Sequence, residues 1–149
     1  MHQTFDEHWL IQDLSPEAKS ALYRLGEILE VDTDQVIIEA NTPNHDMYLL
    51  LEGAFRVNLP DRPGRIGGFT LGHRGPGDLL GEYSFLDSFR PSARVTASTP
   101  GRVLRIRHEA MRDLLAADAE SSSIFYRNLL RYLVVRLRAQ DEELNCLMF

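Results

Sequence analysis

The segment between Gly75 and Val95 concentrates the residues whose types and spacing can do chemistry. Gly75, Gly77 and Gly81 permit tight backbone turns, and Glu82 lies where a short helix is expected to begin. The start of a helix leaves backbone N–H groups free to donate to an anion. A carboxylate at that place repels a free phosphate, but it accepts hydrogen bonds from a hydroxyl group, as acidic residues do from ribose. The combination predicts a site for a phosphorylated sugar.

The histidines do not form a second reactive centre. Each of the five occurs singly, and no pair has the HxH or HxxxH spacing that is typical of a metal site. They are His2, His8, His45, His73 and His108. Surface or turn positions are expected for them. The sequence also lacks a Gly-x-Ser-x-Gly elbow and a P-loop, so we expect no enzyme activity, no metal and no cofactor.

Composition and charge limit the class of protein. The chain has 149 residues, of which 44% are hydrophobic and 26% are charged, so residues 1–149 are expected to form one globular domain. A formal net charge of −6 disfavours direct binding to nucleic acid or to an anionic membrane surface. The start of the chain lacks a signal-peptide pattern, and no apolar run is long enough to span a membrane. We therefore expect a cytoplasmic protein, in which the lone Cys146 makes no intrachain disulfide.

Short apolar runs predict β-strands in the middle of the chain. Residues 35–40 and 47–52 are rich in Val, Ile, Leu and Tyr and are bounded by turn residues. Residues 94–98 and 103–107 alternate apolar with polar side chains, and a Pro-Gly turn lies between them, so we expect an antiparallel hairpin. The glycines and prolines of residues 58–68 predict a loop.

Helices are predicted at both ends of this sheet region. Ser15 is a good N-cap, Pro16 suits the first helical position, and the helix should end near Gly26. A helical period returns at His108, and a last helix is expected over residues 121–149. The fold class is therefore mainly β with flanking helices.

The last predicted helix carries a repeat that favours self-association. Leu130, Leu137 and Leu144 recur every seven residues, like one row of a coiled coil. The second row consists of Tyr126, Leu133, Gln140 and Leu147. Packing of this helix back on the sheet is the alternative, but the rows continue past any core that a domain of this size offers. We therefore predict a homodimer whose interface contains Tyr126, Leu130, Leu133, Leu137 and Leu144.

Several of these stretches together resemble the cyclic nucleotide-binding domains of the catabolite activator and protein kinase A regulatory subunit type. The similarity includes the run Asp46–Gly53 and the turn Pro76-Gly77-Asp78. The stretch Gly81–Asp87, followed by Arg90–Val95, resembles the phosphate-binding cassette of that family. The resemblance implies an antiparallel β-roll with an N-terminal helix and C-terminal helices. It also implies that Glu82 holds a ribose 2′-hydroxyl while backbone amides and an arginine hold a cyclic phosphate.

The cassette departs from the family pattern at the arginine. Kinase-type members place this arginine directly after a proline, whereas this chain has the order Arg90-Pro91. Proline offers neither charge nor N–H, and Arg90 is displaced by one residue. The ligand-binding positions that the resemblance implies are Gly81, Glu82, Tyr83, Ser84, Arg90, Ser92 and Ala93. The resemblance makes cAMP or cGMP the leading ligand. The exchange of Arg90 and Pro91 leaves an inactive pocket as the alternative.

The last helix matches the family at a second place. Gln140 and Asp141 occupy the position at which activator-type members contact the base, so we predict that they contact the ligand or fix the register of the dimer. Such members continue into a helix-turn-helix domain, and this sequence ends at Phe149, so no direct DNA binding is expected. The chain is interpreted as a regulatory sensor domain that signals to an unknown protein effector. A ligand-free dimeric β-roll that serves as a protein-interaction module is the alternative, and a haem sensor is a weaker one.

Overall fold

The structure is a computed structural model that describes residues 1–61 and 69–148. Within these ranges the chain begins with short helical segments, continues through antiparallel strands and ends in two helices. The helices are α1 Gln3–Asp6, a 3-10 turn Trp9–Ile11, α2 Pro16–Arg24, α3 Glu82–Asp87, α4 His108–Ala116 and α5 Ala119–Met148. The strands are β1 Glu27–Val31, β2 Val36–Ile38, β3 Asp46–Glu52, β4 Phe55–Leu59, β5 Phe69–Arg74, β6 Leu79–Leu80, β7 Arg94–Ala97 and β8 Gly101–Arg107.

The strands form two antiparallel sheets that face each other. One sheet has the order β1-β8-β3-β6, and the other has the order β2-β7-β4-β5. This arrangement, with helices at both ends of the chain, confirms the predicted antiparallel β-roll. The helix predicted from Ser15 is also confirmed, with the Ser15 hydroxyl accepting from the Ala18 N–H at 3.1 Å.

The predicted hairpin is wrong, although both of its strands are present. β7 pairs with β2 and β4, whereas β8 pairs with β1 and β3 in the other sheet. The Pro-Gly turn therefore carries the chain from one sheet to the other. Alternation predicts that a strand has one buried face, but it does not predict the strand with which it pairs. The predicted loop 58–68 begins inside β4, and its residues 62–68 lie outside the described residues.

β3 is apolar on both faces because it is covered on both sides. Met47, Leu49 and Leu51 pack against the helices, whereas Tyr48 and Leu50 face the opposite sheet. A strand that is buried on both faces has a continuous apolar run instead of alternation. β3 is thus a rigid support for the elements that pack beside it, among them β6 and the start of α3.

α5 connects the core to the surface along its own length. Its first half inserts Phe125 and Leu129, with exposed fractions of 0% and 1%, into the core beside α4 and the 3-10 turn. Asn128 reinforces this contact, because its amide donates to the carbonyl oxygens of Leu10 and Gln12, both at 2.8 Å. Beyond residue 140 the described side chains of this helix are exposed.

Candidate functional site

The backbone of the cassette turns at Gly81 into α3. Gly81 has φ +80°, in the left-handed region that favours glycine. A Cβ at this position would also collide with the Asp46 carbonyl oxygen of β3. The close approach of the cassette to β3 therefore requires glycine, and it places the next residue, Glu82, against the core.

Glu82 is a buried carboxyl group at the start of α3. Its exposed fraction is 8%, and this burial raises its pKa to about 6 from an ordinary value of 4.5. The nearby charges of Arg136 and Arg74 partly oppose the rise in pKa, and Asp78 adds to it. The carboxyl group thus experiences charges from the end of β5 and from the middle of α5.

α5 also contacts the turn that precedes the cassette. The Asp78 carboxylate accepts from the Gly75 N–H at 2.8 Å, and Arg136 Nη1 of α5 lies 3.5 Å from the other Asp78 oxygen. One helical turn earlier, the Tyr132 hydroxyl accepts from the Leu79 N–H at 2.9 Å. Burial raises the pKa of Tyr132 to about 12, so the hydroxyl is neutral at physiological pH. The long helix is therefore hydrogen-bonded directly to the turn–cassette segment.

Two buried histidines bind backbone carbonyl groups, one in the turn before the cassette and one at the start of the cassette. His8 Nδ1 accepts from the Leu10 N–H at 3.0 Å, so its Nε2 carries the proton that it donates to the Gly77 oxygen at 2.7 Å. His108 Nε2 lies 3.0 Å from the Gly81 oxygen and donates to it in the same way. Burial lowers the pKa of both histidines, which favours neutral rings. The expectation that all histidines lie at the surface or in turns is wrong for these two.

The far end of the cassette is more open. Ser84 is buried, and its hydroxyl donates to the Phe89 oxygen at 2.9 Å. Arg90 is exposed, and its Nη1 donates to the Asn41 oxygen at 3.3 Å. The Asn41 N–H in turn donates to the Pro91 oxygen at 2.7 Å, which fixes the loop in its observed path.

The remaining predicted ligand residues lie on both sides of this loop and on the last helix. Tyr83 and Ser92 are exposed, and Ala93 is half-buried. Gln140 and Asp141 are exposed on α5, one turn beyond Arg136. The structure thus places the predicted cassette residues together around α3, while the ligand roles of all these residues stay predictions.

The sequence matches a known protein family over more than half of its length. Residues 28–118 match the model of the cyclic nucleotide-binding domain. The chain belongs to this family. The match includes the turn, the cassette and all the strands described above from β2 to β8.

Relatives of this cyclic nucleotide-binding domain include regulators and an effector. The chain is 26% identical over 140 residues to a CRP-like cAMP-activated global transcriptional regulator of Mycobacterium tuberculosis, covering 94% of this chain and 60% of that protein. It is 30% identical over 122 residues to the Pycsar effector protein PaPycTIR of Pseudomonas aeruginosa, covering 81% of this chain and 36% of the effector. The chain therefore spans less than two thirds of the length of these relatives.

Solved structures show the same fold. A cyclic nucleotide-binding domain from Methylobacillus flagellatus superposes with a TM-score of 0.82 at 23% identity, covering 95% of this chain and 79% of that one. The Thermus thermophilus catabolite activator protein superposes with a TM-score of 0.75 at 27% identity, covering 95% of this chain and 63% of that one.

The domain also exposes an apolar stripe on α5. Leu130, Leu137 and Leu144 are 62%, 57% and 56% exposed, and Val134 is 47% exposed beside them. Leu133 and Tyr126 of the predicted interface are partly buried against the core of their own chain. The surface that is available to a partner therefore includes Val134, which the heptad assignment did not name.

Among the described residues, several charged or titratable side chains that surround the cassette were not assigned to the site from sequence: His8, Arg74, His108, Tyr132 and Arg136. A partial signal existed for Arg136, because it lies four residues after Tyr132 and therefore on the same face of α5. His8 had no local signal, since its contact with Gly77 joins distant parts of the chain.

Residues 1–61 and 69–148 contain no group of three or more His, Cys, Asp or Glu side chains that could hold a metal ion. None of the helices found in those same ranges combines the length and the apolar character needed to cross a membrane.

Proposed function

We propose that the protein is a regulatory sensor domain that binds a cyclic nucleotide, cAMP or cGMP, between the cassette and α5. The observation that carries this proposal is the buried carboxyl group of Glu82 at the start of α3, in a chain that belongs to the cyclic nucleotide-binding family. Burial disfavours the ionised carboxylate, which raises its pKa to about 6. A ribose 2′-hydroxyl that donates to this carboxylate replaces the hydrogen bonds that burial removed.

The charges around Glu82 support an anionic ligand with hydroxyl groups. Arg74 and Arg136 bring positive charge close to Glu82, and Asp78 is paired with Arg136. The relative in Mycobacterium tuberculosis is described as cAMP-activated, which supports cAMP as one of the first ligands to test.

We further propose that two chains pair along α5. The exposed leucines of this helix would otherwise face water, and burial of a leucine side chain stabilises an interface by about 1.5–3 kcal/mol. Gln140 belongs to the second row of this repeat, between Leu133 and Leu147, where one polar residue can fix the register of the two helices. A dimer would join two cassettes through one pair of helices, and an effector protein would read the resulting change.

The experiment is a thermal melting series with cAMP, cGMP and their linear 5′-monophosphates. A ligand at one hundred times its dissociation constant adds about 2.7 kcal/mol to the free energy of unfolding, which raises the melting temperature by roughly 5–10 °C in a domain of this size. We expect the shift with a cyclic nucleotide and little or none with the linear control. The absence of any shift at millimolar concentrations would instead favour a ligand-free interaction module, for which the exchanged Arg90-Pro91 order is the supporting observation.

A further inference from the structure

Arg74 is the last residue of β5, and its side chain lies on the inner face of the roll. Its cross-strand partner is Phe55 of β4, which is fully buried in the core between the two sheets. Residues that are paired across an antiparallel ladder project from the same face. The chain therefore places a charged guanidinium on a face that is otherwise apolar, and burial lowers the pKa of Arg74.

Gly72 provides the space that this guanidinium occupies. It lies two residues before Arg74 and so belongs to the same face of β5, opposite Val57. A Cβ at Gly72 would lie 3.1 Å from Arg74 Nη1, which is tighter than ordinary van der Waals contact. The guanidinium is thus folded over the glycine, along the inner surface of the strand.

Within residues 1–61 and 69–148, the Arg74 guanidinium makes few hydrogen bonds. Nη1 donates to the carbonyl oxygen of its neighbour His73 at 2.9 Å. Among the residues that the structure describes, no carboxylate lies within 4 Å of Arg74, whereas Arg136 has Asp78 at 3.5 Å. The positive charge of Arg136 acts unfavourably on Arg74, and the charges of Asp78 and Glu82 act favourably from a greater distance. A guanidinium carries five N–H donors, so most of the donor capacity of Arg74 is not used by the residues that the structure describes.

We propose that Arg74 binds the ligand directly, by donating paired hydrogen bonds to two adjacent acceptor atoms. This inference rests on the proposed function and adds the chemistry by which the ligand is recognised. Two parts of a cyclic nucleotide offer such a pair of acceptors. The cyclic phosphate offers two oxygens, and guanine offers O6 and N7, whereas the corresponding edge of adenine offers one donor and one acceptor.

The test is titration calorimetry of cAMP and cGMP with the full chain and its Arg74→Gln variant. If Arg74 holds the phosphate, both nucleotides bind about ten- to a hundredfold more weakly to the variant. If Arg74 contacts the base, cGMP weakens by that factor while cAMP does not, because glutamine can pair with adenine N6 and N7. Unchanged affinity for both nucleotides would overturn the inference and leave the proposed function intact. Failure of the unaltered protein to bind either nucleotide would overturn both.

Two further variants separate the role of Arg74 from a general effect on the sheet. Arg56→Gln removes an arginine from the adjacent strand β4, where Arg56 pairs with Asp34, and it should leave both affinities unchanged. Gly72→Ala keeps the charge of Arg74 but crowds its guanidinium, so it should weaken the same ligands as Arg74→Gln. Gly72→Ala also decides the question if Arg74→Gln does not fold: full affinity in a natively folded Gly72→Ala protein would count against the inference.

Discussion

Replacing Glu82 with glutamine removes the charge of the buried carboxylate but keeps the shape of the side chain. The folded pKa of about 6 lies above the ordinary value of 4.5, so the folded protein binds this proton more tightly than the unfolded chain does. The free energy of unfolding therefore falls as the pH rises through the interval from 4.5 to about 6. Above that interval, burial of the ionised Glu82 carboxylate lowers the free energy of unfolding by its full amount, about 2 kcal/mol. This figure already includes the attraction of Arg74 and Arg136, since both act on the same pKa.

We expect Glu82→Gln to be more stable than the unaltered protein at pH 7.5 and nearly equal to it at pH 4.5. A gain of about 2 kcal/mol corresponds to a rise of roughly 4–8 °C in the melting temperature at the higher pH. The same variant should lose affinity for a cyclic nucleotide, because an amide offers one acceptor oxygen in place of two and carries no charge.

The assay is a pair of chemical denaturation series from pH 4.5 to 7.5, and the measured quantity is the difference in unfolding free energy between the two proteins. The lowered pKa values of His8 and His108 also make stability depend on pH below about 6.5, but their contributions are common to both proteins and cancel in the difference. Glu142→Gln, at an exposed position of α5, is the matched control and should show no such pH-dependent gain in unfolding free energy. A difference that is constant across this pH range would refute the reasoning, because it would mean that the Glu82 carboxylate is not desolvated.

Two further predictions concern the dimer and the cassette loop. Leu137→Glu should convert a dimer into monomers in light scattering, because it places two like charges in the apolar seam. The control Arg138→Glu, at the neighbouring position, should leave the dimer intact. A monomeric unaltered protein at micromolar concentrations would contradict the proposed dimer. The exchange of Arg90→Pro together with Pro91→Arg should tighten cyclic nucleotide binding by about one to two powers of ten in calorimetry, because it restores a guanidinium at the family position. Arg90→Ala alone distinguishes two cases: if Arg90, which contacts the Asn41 carbonyl oxygen, also holds the phosphate, this variant weakens binding and the exchange gains little. If neither variant changes the affinity, the phosphate is held elsewhere.

The cassette was the part of this molecule most open to prediction from sequence, because its constraints are local. Gly81 must be glycine to turn beside β3, and Glu82 follows it in the chain, so the order of residues alone predicts the helix start. The predicted helix at Ser15 has the same character, since a cap and a proline act on their immediate neighbours.

What the sequence did not reveal depends on contacts between distant residues. The pairing of β7 and β8 with different sheets follows from the closure of the roll and not from the alternation of either strand. The inward orientation of Arg74 depends on its register with Phe55, nineteen positions earlier in the chain. Composition also favours a surface position for His8, and only the folded chain brings it to the Gly77 carbonyl group.

The two tasks of α5 lie next to each other along one helix. Arg136 contacts the turn before the cassette, and Leu137, the next residue, is part of the exposed stripe. If two chains pair through this stripe, nucleotide binding and pairing share a coupling free energy, and this coupling is reciprocal. If one bound nucleotide lowers the dissociation constant of the dimer tenfold, that nucleotide must bind the dimer ten times more tightly than it binds the monomer. Measured nucleotide affinity would accordingly depend on the concentration of the protein itself. A binding measurement at one fixed protein concentration would therefore not characterise the sensor.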